Sequence, residues 1–271
     1  EVDQMTLTSG GGATNAAATF AALGHDTHVV SRIGNDSPGQ GLVSELKEYK
    51  IKTGLINKIK GQTAYSVIMT ASTGERTVLV HRGVSATFSA KDIPWNKLKA
   101  DWLYITSLGG NLALVKRIVK AAYEKNIQVA YNPGMKEIAK GYGAFKSLLP
   151  MLSVLLMNQE EADALGIDDK AMEQNLILVI TDGSNGSHAF FGDEHWFAKA
   201  GKSKVVSRTG AGDAFGSGFV SSLIKNDDIP KALRFGTLNA QSVIASIGAK
   251  SGVLKKNPSA KELAKIKVKK I

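Results

Sequence analysis

Residues 205–219 read VVSRTGAGDAFGSGF, a glycine-containing turn between a short β-branched run and an apolar helix. After the turn, Phe215, Phe219 and Leu223 repeat at helical spacing, which predicts that they face the core. Asp213 falls on a different side of that helix, in or next to its first turn. We therefore expect the free backbone N–H groups of the turn to converge beside a carboxylate.

A turn of this kind favours a bound anion. Free N–H groups and the positive end of the helix dipole attract negative charge, and small residues at 210–212 let a charged ligand approach the backbone. An anion site beside Asp213 suits the transfer of a phosphoryl group to a hydroxyl whose proton the carboxylate accepts. The alternative is a plain glycine-rich turn with an Asp near the helix N-cap, where Asp is common for structural reasons.

The order TGAGDAFGSGF at residues 209–219 resembles the C-terminal signature of the PfkB, or ribokinase-like, carbohydrate kinase family. The resemblance implies that Asp213 is the catalytic base and that Gly210, Ala211 and Gly212 form the anion hole. Because a helix N-terminus lowers the basicity of a carboxylate, we expect Asp213 to orient the hydroxyl as much as to deprotonate it. The implied activity is transfer of the γ-phosphoryl group of ATP, with Mg²⁺ bound, to a hydroxymethyl group of a sugar or sugar-like substrate.

Two other functions stay open on the sequence. One is a nucleoside kinase of the same fold, and the other is a catalytically silent family member that acts as a binding subunit, although the retention of Asp213 argues against silence. A P-loop kinase is disfavoured because no GxxxxGK[ST] motif is present. A nicotinamide-dependent dehydrogenase is disfavoured because no strand leads into GxGxxG with an acidic residue about 20 positions later.

A second glycine turn opens into a helix near the start of the chain. Gly10 and Gly11 precede Asn15 and an Ala-rich segment that Gly24 is placed to end. A Gly-Gly pair followed by an Asn matches the N-terminal substrate motif of the family, although a plain turn explains three glycines equally well. Family members carry a first strand with a substrate-binding Asp upstream of this motif. No such strand precedes Gly10 in this sequence, and we therefore expect the domain described here to lack it.

The composition is that of a globular chain. The 271 residues are 43% hydrophobic and carry a formal net charge of +10. Many lysines lie in the C-terminal tail, where a solvated helix explains them; since aromatic residues do not alternate with them, nucleic-acid binding is disfavoured. The sequence has no cysteine, no apolar run that could span a bilayer and no recognisable signal peptide. We expect a cytoplasmic protein that binds no membrane.

Alternation of strands and helices predicts an α/β fold with a doubly wound, mostly parallel sheet. Ligands on such sheets bind beyond the carboxyl ends of the strands, where all the polar motifs named here lie. The predicted strands are 102–106, 127–131, 153–157 and 176–180, and the helices include 112–123 and 159–165.

Residues 63–70 and 76–81 are rich in β-branched residues and flank an STGE turn signal. We interpret them as part of a small β lid, formed from about 27–33 and 54–82 and inserted into a single domain spanning 1–271. Closure of a lid expels water that competes with the phosphoryl acceptor. The alternative is an edge extension of the main sheet. Lid strands that pair between subunits make a homodimer possible.

Two motifs at strand ends are candidates for binding nucleotide and metal. The family's Asn-x-x-Glu element matches Asn158 and Glu161, which implies that they place phosphate and Mg²⁺. Magnesium keeps several waters, so Glu161 is expected to act partly through water; alternatively, Glu161 only complements a helix N-terminus. The family's Thr-x-Gly-x-x-Gly nucleotide turn matches Thr181, Gly183 and Gly186, and a β-hairpin is the compatible alternative.

Four further residues complete the predicted ATP site. Arg208 and Thr209 directly precede the anion turn, and the guanidinium of Arg208 is expected to clamp phosphate oxygens. The segments around Asn239 and Gly248 resemble the part of the family that flanks the adenine, although their small residues equally fit tight helix packing. Many members place an Asp before the turn that helps to bind a monovalent cation. Ser207 supplies no charge there, which leaves potassium activation open.

Overall fold

The structure, a computed structural model, describes residues 5–70, 76–167, 175–201 and 203–271. The N-terminal elements are α1 (Gly12–Ala22), β1 (Ser31–Gly34), α2 (Ser37–Glu48), β2 (Ile56–Ile59), β3 (Tyr65–Thr70) and β4 (Arg76–His81). β1 pairs with β2 in parallel, and β3 pairs with β4 antiparallel. Within the described ranges these are two separate two-stranded sheets, and neither extends the central sheet.

The central sheet begins after these elements. Its strands are β5 (Trp102–Ile105), β6 (Gln128–Tyr131), β7 (Val154–Asn158), β8 (Ile177–Thr181), β9 (Ser187–Phe191), β10 (Glu194–Ala198) and β11 (Val268–Lys270). They lie side by side in chain order, from β5 at one edge to β11 at the other. β5 to β8 are parallel, whereas β9, β10 and β11 are antiparallel to their neighbours. The predicted α/β fold with a mostly parallel sheet is confirmed.

Helices cover both faces of this sheet. The remaining helices are α3 (Leu112–Tyr123), α4 (Met135–Ile138), α5 (Tyr142–Phe145), α6 (Gln159–Leu165), α7 (Ala211–Asn226), α8 (Ile229–Ile244) and α9 (Ala260–Leu263). One buried cluster joins the sheet to α3 and α6, and a second joins it to α1, α7 and α8. Side chains of β7 alternate between the two, because Leu155 lies in the first cluster and Leu156 in the second. A strand that is buried on both faces is apolar along its whole length, and this apolar run is the signal from which the sequence predicts it.

The predicted elements differ from the observed ones mainly at their ends. α3 and α6 have the predicted bounds, whereas the strand expected at 27–33 is regular only at β1, preceded by an isolated bridge from His28 to Lys52. Phe215, Phe219 and Leu223 are buried, as their helical spacing predicts. The expected solvated tail helix is short, because β11 adds the last residues to the sheet edge beside β10. The STGE turn at 72–75 lies outside the described residues.

Candidate active site

The carboxyl ends of β7 and β8 bring two predicted nucleotide residues together. Asn158 is the last residue of β7, Thr181 is the last residue of β8, and the sheet register pairs them. Asn158 is exposed and Thr181 is half-buried. They therefore lie at the edge of the sheet where ligands of open α/β folds bind.

Two glycines shape the turn that follows β8, and they differ in what surrounds them. Both have positive φ angles, 50° at Gly183 and 128° at Gly186. A Cβ atom on Gly186 would lie 2.4 Å from the carbonyl oxygen of Ala198, whereas one on Gly183 would meet nothing within 4 Å. Packing therefore requires Gly186, and Gly183 leaves the outer side of the turn open. The antiparallel pairing of β8 with β9 confirms the hairpin.

The anion turn lies at the N-terminus of α7. Gly210 is the N-cap residue with a left-handed φ of 81°, and no side chain caps the helix. The N–H of Ala211 donates to Arg208 O at 3.3 Å. The N–H groups of Gly210, Gly212 and Asp213 find no acceptor among the described residues. Three backbone donors at a helix N-terminus are thus left for an anion.

The carboxylate of Asp213 meets the N-terminal glycine turn. Asn15 lies in the first part of α1, and its Nδ2 donates to Asp213 Oδ2 at 2.8 Å. Gly11 is the N-cap residue of α1 with a φ of 96° and is exposed, as is Gly10. Asn15 Oδ1 is buried and has no hydrogen-bond partner among the described residues. The two glycine turns predicted to bind substrate and phosphate therefore share one site, with Asp213 between them.

Close packing fixes the position of this carboxylate from a third side. A Cβ atom on Gly12 would lie 3.0 Å from Asp213 Oδ1 and 3.0 Å from Thr106 Cγ2. Thr106 follows β5, so the carboxyl end of that strand also reaches the site. Any side chain at Gly12 would displace one of these groups.

Burial dominates the electrostatics of Asp213. Desolvation raises the pKa of the Asp213 carboxyl above its ordinary value, and the hydrogen bond from Asn15 and the charge of Lys250 oppose this rise. The helix N-terminus predicts a weaker base, whereas the loss of hydration acts on Asp213 in the opposite direction. Its basicity is raised because the loss of hydration outweighs the neighbouring donors and charge. A raised pKa suits a group that accepts a proton.

Asn239 has a packing role rather than an exposed one. It is fully buried, and its Nδ2 donates to Thr19 Oγ1 at 3.1 Å and to Ala214 O at 2.8 Å. Its Oδ1 accepts from Leu254 N at 2.9 Å. No donor of this amide is left for a nucleotide, which corrects the prediction that Asn239 binds ATP. Small polar residues on a buried helix face serve packing and binding alike, so the sequence did not separate the two roles.

Asn158 and Glu161 form a capping box at the start of α6. Asn158 Oδ1 accepts from Glu161 N at 2.8 Å, and Glu161 Oε2 accepts from Asn158 N at 2.9 Å. These contacts match the alternative in which Glu161 complements a helix N-terminus. Burial raises the pKa of the Glu161 carboxyl above its ordinary value. Glu161 Oε1 has no partner within the described ranges and can still hold an ion through water. In the part of the chain that the structure describes, no three His, Cys, Asp or Glu side chains cluster as a metal site.

The segment before α7 is anchored to the end of α8. The N–H groups of Val206 and Ser207 donate to Ile244 O at 2.8 and 3.1 Å. Ser207 Oγ accepts from Thr209 N at 3.3 Å. The exposed side chain of Arg208 makes no hydrogen bond or ion pair with any described residue. Arg208 is therefore free to meet a ligand at the turn that it precedes.

A comparison with family profiles tests the resemblance that the two glycine turns carry. The profile described as "pfkB family carbohydrate kinase" matches residues 1–256. The chain belongs to this family. The match spans both glycine turns and the strands between them, so the predicted resemblance is confirmed.

Curated relatives of this pfkB family member are kinases by name. An uncharacterized sugar kinase of Archaeoglobus fulgidus is 29% identical over 247 residues, which cover 86% of this chain and 97% of that protein. An ATP-dependent ribose-1-phosphate kinase of Halopiger xanaduensis is 26% identical over 248 residues, covering 89% and 82% of the two chains.

Solved structures share the fold of this family member. A ribokinase from Thermotoga maritima has a TM-score of 0.79 at 23% identity and covers 97% of this chain and 89% of its own. A nucleoside kinase of Burkholderia thailandensis in complex with inosine has a TM-score of 0.81 at 18% identity, covering 97% and 88%. A ribokinase of Cryptococcus neoformans in complex with ADP has a TM-score of 0.76 at 21% identity, covering 93% and 87%. No described helix of this pfkB chain has the length and apolarity to cross a membrane.

Two charged residues near the pfkB glycine turns were not predicted. Lys250, in the small-residue segment after Gly248, is buried with 1% of its surface exposed. It lies 3.4 Å from Glu45 of α2. Gly248 itself has a φ of 96°, and a Cβ there would lie 2.9 Å from Ser251 Oγ. The only signal in the sequence is a lone lysine between small residues, and nothing local indicates its partner 205 positions upstream.

Proposed function

We propose that this pfkB family member transfers the γ-phosphoryl group of ATP to a hydroxymethyl group of a sugar or sugar-like substrate. The observation that carries the proposal is the position of Asp213. Its carboxylate is held by Asn15 beside three N–H groups of the α7 turn that have no acceptor in the part of the chain that the structure describes. The N–H groups suit the charge of a phosphoryl group in transfer, and the carboxylate suits the acceptor hydroxyl.

Each residue of the site has a role in this proposal. Gly10, Gly11 and the free Oδ1 of Asn15 face the acceptor, since a buried amide oxygen without a partner suits a sugar hydroxyl. Asp213 orients that hydroxyl and takes its proton, and the backbone of 210–212 forms the anion hole. The proposed ATP-binding residues are Asn158, Thr181, Gly183, Gly186, Gly248, Arg208 and Thr209.

Magnesium fits one oxygen of this site. Glu161 Oε1 is the carboxylate oxygen that the capping box leaves unused, and it would hold Mg²⁺ through water. When bound there, the ion would offset the negative charge of the nucleotide phosphates. Residues of the chain do the rest: Asn158 fixes the orientation of Glu161, and Arg208 offers a second cation to the phosphates.

A nucleoside kinase is the second candidate. It is favoured by the likeness of fold to a structure that holds inosine.

A panel of acceptors tests the proposal. The purified chain is incubated with ATP and Mg²⁺ and with sugars, sugar phosphates or nucleosides, and ADP release is measured. A sugar that is phosphorylated at a hydroxymethyl carbon supports the first candidate, and preferential turnover of nucleosides supports the second. If no acceptor of the panel raises ADP release above the background measured without protein, the chain is a catalytically silent binding subunit.

Arg208→Ala should lower turnover much more than it perturbs folding. The guanidinium is exposed and has no partner among the described residues, so its removal breaks no contact of the fold. If it clamps phosphate oxygens, we expect kcat to fall by roughly tenfold or more, since a charge-assisted hydrogen bond contributes about 1.5–3 kcal/mol. Steady-state kinetics and thermal unfolding are compared with those of Arg117→Ala. This control removes a cation of α3 that lies over the ring of Trp95. Unchanged kinetics would remove Arg208 from the site.

We also propose that β3 and β4 act as a lid and pair two chains. Their two-stranded sheet has apolar side chains exposed on both faces; they are Tyr65, Val67, Ile68, Met69, Val78, Leu79 and Val80. A sheet of two strands needs further packing to be stable, which a second copy supplies.

Leu79→Asp tests the pairing. Leu79 is 56% exposed and opposite Val67 in the register, so the charge should not disturb the core of one chain. We expect a dimer in light scattering to become a monomer with unchanged thermal unfolding of the central sheet. A wild-type chain that is monomeric at all accessible concentrations would contradict the pairing but not the kinase.

A further inference from the structure

Lys250 is a cation with almost no exposure to water. It lies after α8, and its side chain is 1% exposed. A buried ammonium is unfavourable unless it is paired and hydrogen-bonded, and burial lowers the pKa of this lysine. An isolated lysine at this position would destabilise the fold, so its partners are informative.

The partners of Lys250 enclose the residues that lead into the N-terminal glycine turn. Its Nζ donates to Ser9 O and, at 2.7 Å, to Ser9 Oγ, and it lies 3.4 Å from Glu45 Oε1. The carboxylate of Glu45 accepts from Ser9 N and, at 2.7 Å, from Thr8 Oγ1. Both charged side chains thus hold the backbone at residue 9. All three protons of the ammonium have a partner, so none is left for a substrate.

The segment that carries Lys250 also touches the anion turn. A Cβ atom on Gly210 would lie 2.6 Å from Ala249 O and 2.7 Å from Ala249 Cα. Ala249 packs against the turn at Gly210, and its neighbour Lys250 donates hydrogen bonds to Ser9, the residue before the N-terminal glycine turn. The distance between the two turns is therefore set through two adjacent residues of one segment.

The charge of Lys250 also reaches Asp213. It lowers the pKa of the Asp213 carboxyl, against the larger effect of burial. Among the described residues, Lys250 and Tyr104 are the ionisable groups that interact with Asp213, and Asn15 is its hydrogen-bond donor. Tyr104 is buried and neutral, so Lys250 is the one charge in this set.

We propose that Lys250 and Glu45 are a positioning pair that holds the two glycine turns of the active site at a fixed separation, and that the charge of Lys250 acts on Asp213 from this position. The inference rests on the proposed kinase function. Neither residue contacts the reacting atoms. Glu45 neutralises Lys250 and orders residues 8 and 9, and Ala249, next to Lys250, packs against the turn that leads to Asp213.

Three variants separate the geometry from the charge. Glu45→Gln keeps a hydrogen-bonding side chain beside Ser9 but removes the counter-charge of the buried Lys250. Lys250→Met alone leaves Glu45 half-buried without its cation and is at risk of misfolding. The double variant Lys250→Met with Glu45→Gln removes both charges and is the form expected to fold. Lys120→Met is the matched control, because Lys120 is 70% exposed on the outside of α3.

The kinetic readout is a pH profile with the best acceptor of the panel. In the double variant we expect the acceptor KM to rise roughly tenfold or more, because misplaced turns misalign the acceptor. We also expect the acidic limb of kcat/KM to move to higher pH, since Asp213 loses a neighbouring positive charge. Glu45→Gln should raise KM with a smaller move, because loss of its counter-charge lowers the pKa of the buried Lys250 without removing the lysine, and Lys120→Met should do neither. A double variant with wild-type KM and pH profile, or an equal move in Glu45→Gln, would overturn the proposal.

A second readout does not depend on turnover. A ¹³C NMR titration of labelled aspartate carboxyls, with Asp213→Asn to identify the resonance, follows Asp213 in the folded wild type and the double variant. We expect Asp213 to titrate at higher pH in the double variant. An unmoved titration would overturn the electrostatic role even in a chain that phosphorylates nothing, whereas an inactive panel with a moved titration would contradict only the kinase function.

Discussion

Asp213→Asn should reduce turnover by at least ~100-fold, the low end of general acid–base contributions, and leave ATP binding nearly intact. The amide has nearly the shape of the carboxylate and can still meet Asn15, but it accepts no proton. The N–H groups that we propose to bind phosphate belong to the backbone and are unchanged by the substitution. Single-turnover kinetics gives the chemical step, and calorimetry with ATP gives the binding. Near-wild-type turnover would remove Asp213 from the mechanism.

The same variant has a second consequence, for stability. Burial raises the pKa of Asp213 in the folded chain above its unfolded value. The unfolded chain then releases this proton at lower pH than the folded chain does, so stability falls as pH rises from the unfolded to the folded pKa. The Asn variant does not titrate there and should be at least as stable as the wild type at pH 8. The difference in the free energy of unfolding between the variant and the wild type should narrow as the pH falls to 4. A difference that widens at low pH would contradict this prediction.

Gly210→Ala should abolish most activity and destabilise the fold. The φ of 81° at Gly210 is unfavourable for a side chain by about 1–2 kcal/mol, and the added methyl would lie 2.6–2.7 Å from atoms of Ala249, an overpacking that costs about 1–3 kcal/mol. The turn has to open, and its N–H groups then no longer converge. Urea unfolding and steady-state turnover measure the two effects.

Gly212→Ala separates these effects. A Cβ on Gly212 meets nothing within 4 Å in the described chain, and the residue is helical and exposed, so stability should hold or improve slightly. Activity should still fall, because the methyl occupies the approach of the phosphoryl group. Gly41→Ala, in an open position of α2, controls for the general effect of alanine in a helix. A Gly212→Ala variant with full activity would place the phosphate elsewhere.

The sequence predicts the strands and helices well because their signals are local. The apolar run of β8 and the helical spacing of Phe215 and Phe219 are read within a few residues of each other. The polar motifs were likewise predicted to gather at strand ends, and the pairing of Asn158 with Thr181 shows how parallel register does this.

The contacts that complete the site are not local. Asn15 and Asp213 are 198 positions apart, and Ser9 and Lys250 are 241 apart. Periodicity gives no information at that range, so the pairing of Glu45 with Lys250 was not predicted. Burial is equally invisible in a motif. Asn239 matches a binding segment but lies in the core, and the raised pKa of Asp213 follows from its surroundings rather than from its position in α7.

The hydrogen bond between α1 and α7 has a consequence for fragments of the chain. Asn15 and Asp213 lie 198 positions apart, so a cleavage anywhere between them puts the two residues on different fragments. A fragment without α7 has no carboxylate for Asn15 to meet, and a fragment without β11 leaves β10 at the edge of the sheet.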